Sequence, residues 1–285
     1  MVQHLDWRRM LPNRVVLISL LGSLAAGTMN ASSLIAYLSA PGQTSSIVSG
    51  VSTETFNDSA WLAGVTSYNS VLGVYTAISP NSSGQTVTRI PVIAADQYGG
   101  ADGSDYMYAG QRQDGDATSV DLHLNNPANY FGFWWSAGDA TNVISIYHQG
   151  VFVAQFTTSD ITTLLSNPTV TAINGTTYSS SSYYGNPTSA FLGQDASEPF
   201  GYVSLVANGF QFDEVVFSNL GGSGFENDNN SVYSGALNIP KDYSSFVEVS
   251  DLPFTAAPEP GTLGLTGGVL IAVLITSRKR FFGRL

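Results

Sequence analysis

Short apolar runs separated by Gly and Pro are the feature that most limits what this chain can fold into. Between the two ends of the chain, no stretch of ten residues keeps a helical period, whereas the spacing of the apolar runs suits short strands. The sequence therefore predicts an all-β fold. The number of short strands favours a jelly-roll-like β-sandwich, and a single domain over residues 33–250.

The predicted strands centre on a hairpin in the middle of the chain. Val143–Tyr147 and Val151–Phe156 are joined across Gly150, which can adopt the left-handed conformation that a tight turn needs. The only helix candidate is Ser159–Leu165, with Ser159 as its N-cap. The remaining predicted strands are Val87–Ala94, Val120–Leu124, Tyr130–Trp135, Tyr202–Ala207, Phe210–Phe217 and Ser245–Val249.

The body of the chain is strongly acidic. Residues 33–257 hold three Lys or Arg and 19 Asp or Glu, a formal charge of −16. Such a body does not neutralise phosphates, so nucleic acid is excluded as a partner. The chain also has no cysteine, which excludes disulfides, thiolate metal sites and cysteine nucleophiles.

Residues 1–32 predict a signal peptide for Sec export. Arg8, Arg9 and Arg14 form a positive n-region, and Val15–Ala26 is an apolar run of the length usual for an h-region. Small residues follow, so we expect cleavage between Ala26 and Ala36.

The C-terminal residues 258–285 contain three parts in a definite order. A Pro-Glu-Pro-Gly motif follows a short linker at 251–257 and precedes an apolar stretch over 262–277, which is just long enough to span a membrane. A basic tail over 278–285 places this end in the cytoplasm by the positive-inside rule. The residues of the motif and of the basic cluster are Pro258, Glu259, Pro260, Gly261, Arg278, Lys279 and Arg280.

This arrangement resembles the PEP-CTERM sorting signal of bacterial surface proteins that an exosortase processes. The body is similar to a group of exosortase-dependent surface proteins in several motifs, namely Phe131–Ala137, Asp139, Asn142, Gly185–Pro187, Glu198–Val203 and Phe225–Asn229. The resemblance implies a precursor anchored in the inner membrane by its C-terminal helix, with the exosortase as its processing partner. The product would lie at the cell surface or in the extracellular matrix of a bacterium that makes exopolysaccharide. The resemblance implies no biochemical activity.

An aromatic strand carries the candidate ligand-binding residues, Trp134 and Trp135. Alternate residues of a strand point to opposite faces, so the run Tyr130–Trp135 puts large rings on both sides. One alternative is a core strand whose outer face is covered by a loop. The other is an exposed platform on which Trp134 or Trp135 stacks against a sugar ring.

Two groups of acidic residues are candidate sites for a structural calcium ion, which takes six to eight oxygen ligands. The first lies in a Gly-rich run, and the second forms only if the first and last strands of a jelly roll lie side by side. The alternative is that these acids are simply solvated. The candidate ligands are Asp96, Asp102 and Asp105 in the first group, and Glu54, Glu226 and Asp228 in the second.

No catalytic motif accompanies these features, and His123 and His148, the two histidines of the body, lie beside no nucleophile motif. We therefore predict a non-catalytic envelope or extracellular-matrix protein that is exported, processed by an exosortase and associated with exopolysaccharide or biofilm. One alternative is a polysaccharide hydrolase, for which two carboxylates would have to converge in a cleft. Another is a structural coat protein without a ligand.

Overall fold

The computed structural model describes residues 32–62, 64–78, 86–219, 221 and 224–252. Over these residues the chain is mostly β-strand, which confirms the predicted all-β class. The predicted signal peptide up to residue 31 and the predicted sorting signal at 258–285 fall outside the described residues. In the part of the chain that is described, no helix has the length and apolar character needed to cross a membrane.

Eight antiparallel strands form the larger sheet, sheet A. They are β1 (Ser32–Leu38), β2 (Ser52–Glu54), β5 (Val92–Ile93), β6 (Tyr106–Ala109), β8 (Tyr130–Ser136), β13 (Gly201–Asn208), β15 (Phe225–Tyr233) and β16 (Ser244–Leu252). Their order across the sheet is β16-β1-β13-β8-β15-β6-β5, and β2 also pairs with β15. The first and last strands of the described residues, β1 and β16, are therefore neighbours.

Six antiparallel strands form the smaller sheet, sheet B. They are β3 (Ser67–Asn69), β4 (Gly73–Ala77), β7 (Ser119–Ala128), β9 (Asn142–His148), β10 (Val151–Thr157) and β14 (Phe212–Asn219), in the order β10-β9-β14-β7-β4-β3. A separate ribbon pairs β11 (Thr169–Thr171) with β12 (Thr177–Ser179). The described helices are α1 (Ser59–Leu62), α2 (Thr158–Leu165) and the 3₁₀ turns Ala101–Gly103 and Ser180–Tyr183.

Aromatic rings from both sheets share one core. Phe133 on β8 contacts Phe217 on β14, with ring centroids 5.7 Å apart, and Trp135 lies 4.6 Å from Phe225 on β15. These side chains belong to a single buried cluster that draws residues from both sheets. The two sheets therefore pack face to face, with sheet A and sheet B each presenting one face to the core and one outer face.

The predicted hairpin is confirmed, since β9 and β10 pair across a turn in which Gln149 and Gly150 both have positive φ, 51° and 74°.

The predicted strand Val87–Ala94 is too long: only β5 forms there, because Pro91 has no N–H to donate to a ladder. The N-cap of the helix also lies two residues earlier than predicted. Thr157 is the N-cap, because Asp160 accepts a hydrogen bond from its N–H at 2.7 Å and completes a capping box.

The position of strand β1 bears on where the predicted signal peptide would be cut. It begins at Ser32 and lies between β13 and β16, paired with both along its length. A cut between Ser32 and Ala36 would remove residues that are paired on both sides, whereas a cut before Ser32 leaves the strand complete. At the other end, β16 runs to Leu252, so the predicted linker begins two residues inside the sheet.

Candidate functional site

An acidic cleft lies on the outer face of sheet A, and β15 supplies its buried carboxylate. Alternation along this strand turns Phe225 toward the core and Glu226 toward the outer face. Glu226 stands opposite Ser136 of β8 on one side and Tyr108 of β6 on the other. It is only 2% exposed, so its charge needs a partner within the protein.

Arg112, in the loop after β6, is that partner. Its guanidinium forms an ion pair with Glu226 and lies 3.9 Å from a carboxylate oxygen of Asp96. The same guanidinium lies over two rings, 5.3 Å from the ring centroid of Tyr98 and 4.5 Å from that of Tyr108. Burial raises the pKa of Glu226 to about 7, although Arg112 acts in the opposite direction.

The cleft has a volume of about 410 Å³ and collects carboxylates from three separate parts of the chain. Its lining holds four acids and one cation, and consists of Tyr98, Arg112, Ala137, Asp139, Asp195, Glu198 and Glu226. Burial raises the pKa of Glu198 to about 8, helped by a hydrogen bond to Asp195 and by the negative charges around it. At neutral pH Glu198 therefore retains its proton.

Hydrogen bonds between loops hold this lining in place. The N–H of Gly138 donates to the carbonyl of Pro199 at 3.1 Å, which joins the loop after β8 to the loop before β13. The side-chain amide of Asn186 donates to the carbonyl of Gln97 at 3.1 Å, which joins the loop before β13 to the loop that carries Tyr98. The three lining segments are thus tied to one another as well as to the sheet.

Asp139 is fixed by contacts that reach sheet B. One of its carboxylate oxygens accepts hydrogen bonds from the N–H and the hydroxyl of Thr141, and the other accepts one from the amide of Asn219 on β14 at 3.2 Å. The neighbouring Ala137 has φ of +43° and Asp195 has φ of +52°. Such backbone conformations are costly for residues other than glycine, and they concentrate at functional sites.

Both tryptophans of the predicted platform are buried, which corrects that hypothesis. Trp135 is in the core between the sheets, and Trp134 lies on the outer face beneath a cover formed by Ala101, Ala137 and Phe200. Neither ring is open to stack on a sugar. The alternative that a loop covers the outer face of this strand is the one the structure bears out.

The second predicted calcium group is only partly brought together. Strand β2 pairs with β15 and places Glu54 opposite Asn230. Glu54, however, accepts a hydrogen bond from the N–H of Phe56, and Asp228 is fully buried. Asp228 accepts hydrogen bonds from the N–H of Ala101 at 2.8 Å and from the hydroxyl of Ser104. Its function is to anchor the covering loop.

The first predicted group, Asp96, Asp102 and Asp105, lies in that covering loop but does not converge. Asp96 accepts a hydrogen bond from the hydroxyl of Tyr106 at 2.8 Å, and Asp102 accepts one from Thr44 at 3.3 Å. Among the described residues, no three His, Asp or Glu side chains lie close enough together to hold a metal ion. Calcium binding stays a prediction for which the described residues give no assembled site.

Sequence reasoning singled out Glu226 but missed its companions in the cleft. Asp139 and Glu198 lie within the motifs that carry the family resemblance, yet nothing in their local sequence marks them as site residues. Arg112 is one of three basic residues in the acidic body, which is the one signal that could have pointed to it. A cation isolated among so many carboxylates is expected to pair with a buried carboxylate.

Comparisons with protein-family models, with curated proteins and with solved structures give no match. The cleft must therefore be interpreted from its own chemistry.

Proposed function

We propose that this chain is an exported, exosortase-processed surface or matrix protein that associates with exopolysaccharide, and that the cleft on sheet A is its saccharide site. Its body is a jelly-roll-like β-sandwich in a single domain, and its C-terminal helix holds the precursor in the membrane before processing. The cleft is the observation that carries the proposal. It joins fixed carboxylates, one guanidinium and one partly exposed ring in a single pocket.

The chemistry of the lining suits a sugar. Carboxylates accept hydrogen bonds from hydroxyl groups. Tyr98 is 36% exposed, and its ring, which has Arg112 over one face, offers an apolar surface with a polar tip. The volume of about 410 Å³ lies within the range of about 300–1,000 Å³ typical of small-molecule sites.

A glycan array of residues 32–252 tests the proposal. This segment contains every residue of the core cluster, and its first and last strands pair with each other, so it is expected to fold alone. Tyr98→Ala should abolish binding. Phe152→Ala, which removes an exposed ring from sheet B, should leave binding unchanged. Equal loss in both variants, or no glycan bound by the wild type, would argue against the cleft and leave the structural coat protein as the better interpretation.

The processing part of the proposal depends on the C-terminal motif and has its own test. Glu259→Ala in the full-length chain should leave an uncut, membrane-bound precursor in a strain that has the exosortase. Glu248→Ala, which removes an exposed carboxylate from β16, is the matched control and should be cut normally. Normal size and release of the Glu259→Ala protein would rule out the sorting function.

Hydrolysis of the saccharide is a second candidate, because such a reaction needs two carboxylates and both Glu198 and Glu226 line the cleft. Glu198 keeps a proton near neutral pH and can donate it to a glycosidic oxygen as the C–O bond breaks. Glu226, held by Arg112, can accept the proton of an attacking water. Release of reducing ends by the wild type but not by Glu198→Gln would favour the enzyme, whereas binding without turnover would favour the non-catalytic protein.

A further inference from the structure

The charge of the cleft distinguishes between kinds of saccharide. We propose that the ligand is a saccharide bearing free ammonium groups, as in a deacetylated amino-sugar polymer. This inference depends on the proposed saccharide site and narrows its ligand. The lining holds four carboxylates against one guanidinium, within a body whose formal charge is −16.

The one cation of the lining is already engaged. Arg112 is paired with Glu226, approaches Asp96 and lies over the rings of Tyr98 and Tyr108. A uronic acid entering the cleft would have to compete with Glu226 for this guanidinium while facing the other carboxylates. Like charges placed together in this way cost several kcal/mol in an interface, so acidic sugars are selected against.

Among the described residues, no cation forms an ion pair with Asp139, Asp195 or Glu198. Asp139 is held by Thr141 and Asn219, which are neutral donors. Asp195 lies beside Glu198, and burial together with the charge of Asp195 raises the pKa of Glu198 to about 8. An ammonium group placed here would supply the positive charge and three N–H donors. It would thereby replace the proton that Glu198 now retains.

Ser136 gives an independent indication that a bound molecule completes this region. It stands opposite Glu226 on the same outer face of sheet A, and it is fully buried. Its hydroxyl oxygen has no hydrogen-bond partner among the described residues. Ser136 is not itself part of the lining, but its chain neighbour Ala137 and its cross-strand partner Glu226 both are. An ordered water between this hydroxyl and a bound saccharide is the kind of group that satisfies such a site.

The test compares oligosaccharides that differ only in charge, at pH 6 and low salt, with residues 32–252 in a calorimeter. The probes are the tetramer of glucosamine, the tetramer of N-acetylglucosamine and a tetramer of a uronic acid. The glucosamine tetramer should bind at least about tenfold more tightly than its N-acetylated counterpart, which is the effect of one well-placed charge pair, and the uronic acid should not bind. Spermine, a cation without a sugar ring, should bind weakly.

Two variants test whether the preference for the glucosamine tetramer depends on the carboxylates of the cleft. Asp139→Asn and Asp195→Asn should each remove most of the preference for the glucosamine tetramer, and Asn is chosen because it tolerates the positive φ of residue 195. Glu248→Gln removes the same charge from an exposed position on β16 and should keep the preference.

Equal affinity for the two tetramers, or equal loss in the Glu248→Gln control, would overturn the charge-selective cleft. Spermine binding as tightly as the glucosamine tetramer would overturn the saccharide. Binding of neutral sugars alone would refute this inference and leave the proposed saccharide site standing, whereas no binding of any sugar would refute both.

Discussion

The outer faces of the two sheets differ in how far loops cover them. On sheet A every residue of β8 is buried, on both faces, because the loops before β6 and before β13 close over it. On sheet B the strand β7 begins with alternating buried and more exposed residues, as expected of a strand with one wet face. A covered face can hold buried polar groups in fixed positions through hydrogen bonds within the protein. On an exposed face the same groups are hydrated by water instead. The cleft accordingly lies on the covered face.

The acids of the two faces show the consequence. Asp228 on sheet A is fully buried, and hydrogen bonds from the covering loop satisfy its carboxylate. Asp121 and Glu214 on sheet B remain partly open to water. Burial still raises the pKa of Asp121 to about 6, with a contribution from the charge of Glu214. On the covered face, burial raises the pKa of Glu198 to about 8.

The largest expected effect comes from removing a ring of the covered face. Trp134→Ala should cost about 3–5 kcal/mol of unfolding free energy, because it leaves a cavity under the loop. Phe152→Ala on the outer face of sheet B should cost less than about 1 kcal/mol, since that ring is half exposed. Urea denaturation of both variants measures the difference. Similar costs would mean that the two faces do not differ as the structure indicates.

Breaking the buried ion pair should have the next largest effect. Arg112→Gln leaves Glu226 without its cation, which should cost about 3 kcal/mol at pH 8. At pH 5 the cost should be much smaller, because Glu226, with a pKa of about 7, then carries a proton. The double variant Arg112→Gln with Glu226→Gln is the control and should show no such dependence on pH. A cost independent of pH in the single variant would contradict the assignment of Glu226.

Calcium should stabilise the body if the predicted site exists. An ion that binds only the folded state at about 100 times its dissociation constant contributes about 2.7 kcal/mol, which is several degrees in melting temperature for a domain of this size. Magnesium should have less effect because it demands a tighter octahedral site. Identical melting curves in calcium and in chelator would show that the body binds no calcium ion. The prediction that Asp96, Asp102 and Asp105 hold one would then be wrong.

The pH dependence of stability has a definite sign. The pKa of Glu198 is raised to about 8 and those of Glu226 and Asp228 to about 7, so the folded state binds these protons more tightly than the unfolded chain. Their contribution is fully present below the unfolded pKa values of about 4 and is lost as the pH rises through 7 to 8.

The melting temperature in chelator should therefore fall by a few degrees between pH 5 and pH 8.5. Glu198→Gln keeps the neutral shape of that side chain and should make the fall shallower. A stability that rises over this interval would contradict the raised pKa values of the covered face.

Local patterns were enough to predict much of the fold. The hairpin of β9 and β10 follows from a glycine placed between two apolar runs, since both determinants lie within a few residues of each other. The prediction failed at Val87–Ala94, where a proline interrupts an otherwise apolar run. It also missed β1, because an apolar segment next to a signal peptide has the same composition as the signal itself.

The sequence by itself determined the all-β class, the acidic charge of the body and the aromatic strand, because each depends on residue types and their local spacing. Only the tertiary structure decided that Trp134 is covered, and that Glu198 and Asp139 meet Glu226 in one cleft. These residues come from three segments far apart in the chain. Which of them meet depends on strand order and on the loops that close over sheet A, and neither is encoded in any short stretch of sequence.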